Sequence, residues 1–143
     1  PATVKWPNDV LVADRKIAGV LIRFVGNSDA IKSLSIGAGV NLNNSELPPA
    51  AVSLSSFLGK QINRSVFLEK LLRRWNEFRT AIYDDTVDCL WKKHSSTLGR
   101  HVRIVQHQRV IEGIAISLAP GGALLVKEGA DMEHVYFGDC YHE

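Results

Sequence analysis

Only two cysteines occur in the 143 residues, Cys89 and Cys140. They stand far apart and form no CxxC pair, which argues against a disulfide framework or a zinc knuckle and points to a reducing, cytoplasmic compartment. Long apolar runs are also lacking. Val20–Ile22 and Ala123–Val126 fall far short of the ~20 residues of a membrane span, and no signal peptide is visible. Neither sign of charge is in excess: 17 Lys and Arg stand against 15 Asp and Glu, a net charge of +2, so nothing electrostatic selects nucleic acid as a partner. His94, His101, His107, His134 and His142 show neither HExxH nor paired metal spacing, and no metal site is expected from them. There is no GxSxG elbow, and neither cysteine has the local context of a nucleophile. The chain has no initiating Met and opens on Ala2-Thr3-Val4-Lys5-Trp6, which reads as a strand already under way, so a fragment is expected.

What is present is ordinary globular composition, 45% hydrophobic and 22% charged, enough for one modest core or two small ones. Val10–Val12 and Ile17–Phe24 are rich in β-branched residues and flank the polar turn Ala13-Asp14-Arg15-Lys16, the pattern of a hairpin. The near-continuous apolar run from Ile17 to Ile22 predicts a strand buried on both faces. After the polar loop Gly26-Asn27-Ser28-Asp29 comes a further strand, Leu34–Leu42, carrying Gly37-Ala38-Gly39-Val40-Asn41.

Asn44-Ser45 and Pro48-Pro49 break the pattern, and Val52–Leu58 predicts a short helix ended by Gly59. Leu68, Leu71, Leu72, Trp75, Phe78 and Ile82 recur at steps of three and four, which predicts a helix capped by Ser65 and packed into the core along that stripe. Val87, Leu90 and Trp91 mark another. The basic residues Arg64, Lys70, Arg73, Arg74, Lys92 and Lys93 read as solvated helix faces, because no aromatic residues interleave with them. Beyond Ser95-Ser96 the period changes to alternation, with strands near Val102–Val105, Val110–Ile116, Ala123–Val126 and Val135–Phe137 and glycine-bearing turns between several of them. Such strands in about 45 residues predict a small SH3-like barrel. The domain division is expected near Ser96, as 1–96 and 97–143.

The stretch with most chemistry is Lys5-Trp6-Pro7-Asn8-Asp9. Pro7 fixes its own φ and biases Trp6 toward extended backbone, so Lys5 is presented from a stiff support. An ammonium with three donors suits a carboxylate, a phosphate, or the charge developing between them. Asn8 and Asp9 are placed to hold the turn. Taken alone, a lysine beside a tryptophan is more often a surface residue.

Lys5-Trp6-Pro7-Asn8-Asp9, then Lys16-Ile17-Ala18-Gly19-Val20-Leu21, then Gly37-Ala38-Gly39-Val40-Asn41 resemble the biotin protein ligases in order and spacing. The tail resembles their C-terminal domain at Gly99, Gly113-Ile114-Ala115, Gly121-Gly122-Ala123-Leu124-Leu125 and Gly138-Asp139. The resemblance implies an α+β fold: part of the class II synthetase-like mixed sheet of the biotin/lipoate ligases, with helices, followed by the SH3-like barrel. It implies an ATP-dependent ligase that makes biotinyl-adenylate from biotin and MgATP and passes biotin to a lysine of a carboxylase's biotin carboxyl-carrier domain. It assigns Lys5 as the catalytic residue and a biotin contact, Trp6, Ala18 and Gly19 to the biotin and adenylate site, and Asn8 and Asn41 to ATP. Where many relatives have an acidic residue, this chain has Arg23.

The family's Gly/Arg-rich loop and aromatic substrate wall have no counterpart before Lys5. The missing N-terminal half of the catalytic domain is therefore an expected partner, and a homodimer stays open. A lipoate ligase-like adenylating enzyme and a non-catalytic split binding module are the alternatives.

Overall fold

The computed structural model describes residues 1–26, 31–79 and 86–143. The chain divides into two compact units, Pro1–Ala2 with Asn8–Glu69, and Thr3–Pro7 with Lys70–Glu143. Among the described residues, no helix is long and apolar enough to cross a membrane. The loop 27–29 and Ile82 lie outside the described residues.

In the first unit β2 (Asp9–Val12), β3 (Arg15–Gly26) and β4 (Ile31–Val40) lie side by side and pair antiparallel. The β2–β3 turn is tighter than the polar run suggests. Val12 pairs with Arg15, so only Ala13 and Asp14 turn the chain, at φ 50° and 56°. Two residues in the left-handed region make the turn whose twist matches that of the flanking strands. A small core of Val12, Ile17 and Val52 forms behind it, with Val10, Ala18 and Leu54 packed against it.

The segment after β4 is fastened back onto β3. Lys16 N–H donates to Ala50 O at 2.8 Å, Val52 N–H to Lys16 O at 2.9 Å, and Asn41 N–H to Ile17 O at 2.8 Å. The Asn43 amide donates to Ile62 O and accepts from Ile62 N–H, doing for that loop what a strand pair does. Helix α1 (Leu54–Leu58) starts on Ser53, whose hydroxyl accepts from Ser56 N–H, and stops at Gly59 in the left-handed region.

Two expectations of burial are corrected. Leu21 and Ile22 are 63% and 61% exposed, and Phe24, Val25 and Leu34 are exposed as well. Only the first half of β3 is covered, from Ile17 to the half-buried Val20. Helix α2 (Arg64–Phe78) likewise leaves Leu68, Leu71, Leu72, Trp75 and Phe78 between 41% and 56% exposed. Apolar periodicity records a face built to pack; it does not record where the covering partner comes from. The helix begins two residues earlier than a Ser65 cap predicts, because Asn63 Oδ1 accepts from Val66 N–H and takes the capping role.

The second unit contains helix α3 (Thr86–His94) and a sheet of five antiparallel strands in the order β8-β7-β6-β5-β9. They are β5 (His101–Gln106), β6 (Arg109–Leu118), β7 (Leu124–Glu128), β8 (Asp131–Val135) and β9 (Asp139–His142). Alternation delivers Val102 and Ile104 from β5, and Ile111 and Ala115 from β6, to one core with Leu124, Val126, Val135 and Cys140. Gly113 is required by packing: a Cβ there would collide with the Lys127 carbonyl. Where the sequence suggested a strand near Val135–Phe137, the structure has β8 ending at Val135 and β9 running through Asp139–His142.

The turn permits a direct test of strain. A non-glycine residue in the left-handed region costs roughly 1–2 kcal/mol, and Asn tolerates it better. Ala13→Asn, at an exposed position, should raise the unfolding free energy by about 1 kcal/mol, seen as a higher urea midpoint at unchanged slope. An unchanged or lower midpoint would count against the turn geometry.

Candidate active site

In the first unit, the two central strands face each other with almost no side chains. Gly19 pairs with Gly39, Ala18 with Val40, Val20 with Ala38, and Leu21 with Gly37. Glycine and alanine leave the backbone bare, and a cavity of about 660 Å³ opens there, bordered also by Asn8, Lys16 and Asn41. Four of the residues singled out by sequence, Asn8, Ala18, Gly19 and Asn41, therefore line one cavity.

Each is held by the fold. Asn8 Nδ2 donates to Val20 O at 3.0 Å while Val20 N–H donates to Asn8 O at 2.9 Å, so Asn8 is locked to β3 and keeps its amide oxygen as an acceptor. Asn41 is fixed through its backbone, accepting from Leu54 N–H at 2.8 Å.

Two residues of this cavity region were missed by sequence reasoning. Lys16 Nζ lies 2.6 Å from Asp9 Oδ1, and a Cβ on Gly19 would meet Lys16 Nζ at 3.2 Å and Asp9 Oδ1 at 3.3 Å. The space that Gly19 leaves open is thus shared with an ion pair. The signal lay in the second motif itself, where Lys16 precedes Gly19 by three residues, but a turn lysine reads as solvated until its partner is seen.

Lys5 and Trp6 belong to the second unit. Lys5 is half-buried at the end of β1 (Ala2–Lys5). Among the described residues no carboxylate pairs with it, in contrast to Lys16. Trp6, expected at the biotin and adenylate site, is only 3% exposed and belongs to the second core with Ile104, Leu124 and Val126. Its indole N–H donates to Gly122 O at 3.1 Å and its backbone N–H to Thr97 Oγ1 at 3.0 Å. The Trp6–Pro7 peptide is cis.

Residues 97–143 match the family described as Biotin protein ligase C terminal domain. Residues 1–41 match the Biotin/lipoate A/B protein ligase family. Both ends of the chain are thus similar to biotin protein ligases. It is 27% identical over 146 residues to the Bifunctional ligase/repressor BirA of Bacillus subtilis, covering 95% of this chain and 45% of that protein. It is 29% identical over 144 residues to the Biotin--[acetyl-CoA-carboxylase] ligase of Mycobacterium tuberculosis, covering 97% and 52%. Among solved structures, a mutant biotin protein ligase of Aquifex aeolicus in complex with biotin has a TM-score of 0.83 and 25% identity, covering all of this chain and 62% of that one. The chain thus spans about half the length of the curated relatives it matches.

Both cysteines are free thiols, Cys89 exposed and Cys140 buried. Burial pushes the Cys140 thiol up from 9.0 to about 11, partly opposed by the positive charge of Lys5. The folded thiol holds its proton more tightly than the unfolded one, so its contribution to stability is intact below pH 9.0 and is lost as pH rises toward about 11. Iodoacetamide at pH 8 should therefore alkylate Cys89 in the native protein and spare Cys140 until denaturation. Equal labelling of both, read by mass spectrometry, would contradict the buried placement.

Proposed function

We propose that this chain supplies part of the active site of an ATP-dependent biotin protein ligase. The observation that carries the reading is the bare-backbone cavity of Ala18, Gly19, Gly37, Ala38 and Gly39 bordered by two amide side chains. A floor made largely of glycine and alanine admits a bicyclic ligand close to strand backbone, and asparagine amides donate and accept in fixed directions. In this proposal Ala18 and Gly19 face biotin, while Asn8 and Asn41 serve the nucleotide.

In the first step the biotin carboxylate oxygen attacks the α-phosphorus of ATP and pyrophosphate leaves. In the second, a carrier lysine amine attacks the acyl carbon, AMP leaves, and the amine gives up a proton. Lys5 is the cation assigned to both steps. Lys16 already has its charge met by Asp9 at 2.6 Å, whereas Lys5 meets no carboxylate among the described residues. Its ammonium is thus available to the charge that builds between carboxylate and phosphate. Trp6 acts on the reaction only through Lys5. Among the described residues no three His, Cys, Asp or Glu side chains cluster for a metal, and in this proposal Mg²⁺ is held through the phosphates of ATP.

The compartment proposed is the cytoplasm, on the ground that both cysteines are free. The protein substrate proposed is the biotin carboxyl-carrier domain of a carboxylase. We read residues 97–143 as the SH3-like module and 1–96 as ligase-domain sequence, with Trp6 crossing that division. The exposed apolar residues of β3 and α2 favour the view that this segment works joined to further ligase polypeptide, in one chain or as a partner. They equally suit a module that serves assembly without turnover.

Calorimetric titration with biotin and with lipoate, followed by biotin-dependent ATP–pyrophosphate exchange, tests the reading on protein of the relatives' full length. Biotin binding and exchange support it; binding of lipoate alone selects the lipoate ligase reading, and neither binding nor exchange favours the assembly module. In the same protein Lys5→Ala should cost roughly 2–4 kcal/mol of transition-state stabilisation, about 10²–10³ in rate. A loss below about tenfold sinks the role of Lys5.

The cavity floor makes a separate prediction. A Cβ on Gly39 meets nothing nearer than Gly19 O at 4.0 Å, so the fold should accept a side chain there. Gly39→Leu should weaken biotin binding by at least about tenfold, near 1.4 kcal/mol, with the melting temperature little changed. Undiminished affinity would place biotin elsewhere.

A further inference from the structure

The residues on either side of Lys5 are both tied to the second unit's own turn at 95–98. Ser96 N–H donates to Val4 O at 2.8 Å, and the Ser96 hydroxyl donates to the same carbonyl at 3.2 Å. Trp6 N–H donates to Thr97 Oγ1 at 3.0 Å. The turn is itself stiffened by Ser95, whose hydroxyl oxygen accepts from Thr97 N–H at 3.1 Å and Leu98 N–H at 3.2 Å. Lys5 is thus the one residue between two anchored neighbours.

Thr97 is the less expected of these anchors. It is 0% exposed, and its side chain joins two distant parts of the chain: Oγ1 receives the Trp6 amide and lies 3.1 Å from His142 Nε2 on β9. A hydroxyl has one proton and two lone pairs. With the Trp6 N–H entering Oγ1, the hydroxyl keeps a proton and a second lone pair, and either suits the His142 ring nitrogen according to its tautomer. The buried amide of Trp6 has found its acceptor in a side chain 91 residues away. Such a donor left unmet would be costly, so the bond is a constraint on where the backbone at Lys5 runs.

We propose that Thr97, backed by His142, is a positioning residue for Lys5, so that the C-terminal module acts in catalysis by fixing the backbone of the catalytic lysine. The proposal rests on the reading of Lys5 given above. A lysine stem has four rotatable carbons, and the fold controls its ammonium only through the backbone that launches it. Loosening that backbone by a fraction of an ångström degrades alignment with the reacting atoms more than it degrades ligand binding. The role therefore belongs to kcat rather than to KM.

The test uses protein of the relatives' full length, with Thr97→Val, which keeps the shape and deletes the hydroxyl, and Thr97→Ser, which restores it. Thr97→Val should lower kcat for biotin-dependent pyrophosphate release by about tenfold or more, with KM for biotin held within about threefold. Thr97→Ser should recover most of the loss. Hydrogen exchange at the Trp6 amide should be faster in Thr97→Val than in the parent or Thr97→Ser.

A Thr97→Val enzyme within about threefold of the parent in kcat, or a Thr97→Ser enzyme as impaired as Thr97→Val, overturns the proposal. If the parent releases no pyrophosphate with biotin, the ligase reading fails. Amide exchange then decides the anchor separately, unchanged protection in Thr97→Val overturning it and faster exchange upholding it. Should Thr97→Val not fold, Thr97→Ala deletes the same hydroxyl acceptor of the Trp6 amide without adding a second methyl; the same fall in kcat at constant KM is expected, and its absence overturns the anchor.

Discussion

The burial of Trp6 is the constraint on which the second unit depends. Its ring is packed with core residues from five strands, among them Ile104, Ile111, Leu124, Val135 and Cys140. A buried indole needs a partner for its N–H, and the Gly122 carbonyl supplies it across 116 residues of sequence. Removing a ring of this size from a core typically costs about 3–5 kcal/mol, a large share of a small domain's stability. That energy holds residues 3–7 in the unit formed by 70–143, and with them the backbone from which Lys5 projects. A core contact thus fixes the backbone on either side of Lys5.

The cavity of the first unit is built on the opposite principle. Where the second unit fills its interior, β3 and β4 place glycine and alanine across from each other and leave space. Such residues weaken a strand, since they bring backbone entropy and little to pack. The compensation is visible in the hydrogen bonds that fasten 41–55 back onto Lys16, Ile17 and the end of β4, and in the Asn8 amide on Val20 O. A rigid floor without side chains is what direct readout of a ligand by backbone and amide groups requires.

The strands and the two longer helices were legible in the sequence because they rest on local periodicity, and the motif residues Asn8, Ala18, Gly19 and Asn41 do come together. What was not legible depends on distant pairing. Trp6 reads as a site residue beside Lys5, and only the three-dimensional structure reveals that it belongs to the same buried core as Ile104 and Leu124. Thr97 lies at the edge of a polar run, with nothing nearby to mark it as the acceptor for an amide 91 residues away. The division at Ser96 follows the change from helical to alternating periodicity, whereas the compact units cut the chain elsewhere because Trp6 and its neighbours belong to the later core. The apolar runs of β3 and α2 predicted burial, yet Leu21, Ile22 and the α2 stripe are exposed, because periodicity marks a face without saying what covers it.

Charge sharpens the division of labour among the cations. Long-range steering of anionic substrates is weak for a chain with a net charge of +2. Lys16 adds little to local attraction, because Asp9 lies 2.6 Å away and the pair presents a dipole rather than a charge. Its more consequential effect is steric, since its side chain occupies the space over Gly19. An uncompensated cation counts for most where water is excluded, and the half-buried Lys5 is the candidate with that character. Its charge is felt even by the Cys140 thiol in the core, which Lys5 pulls back down against the effect of burial. A cation that reaches its own core electrostatically, and whose backbone is anchored on both sides, joins the integrity of the C-terminal module to the chemistry proposed for Lys5.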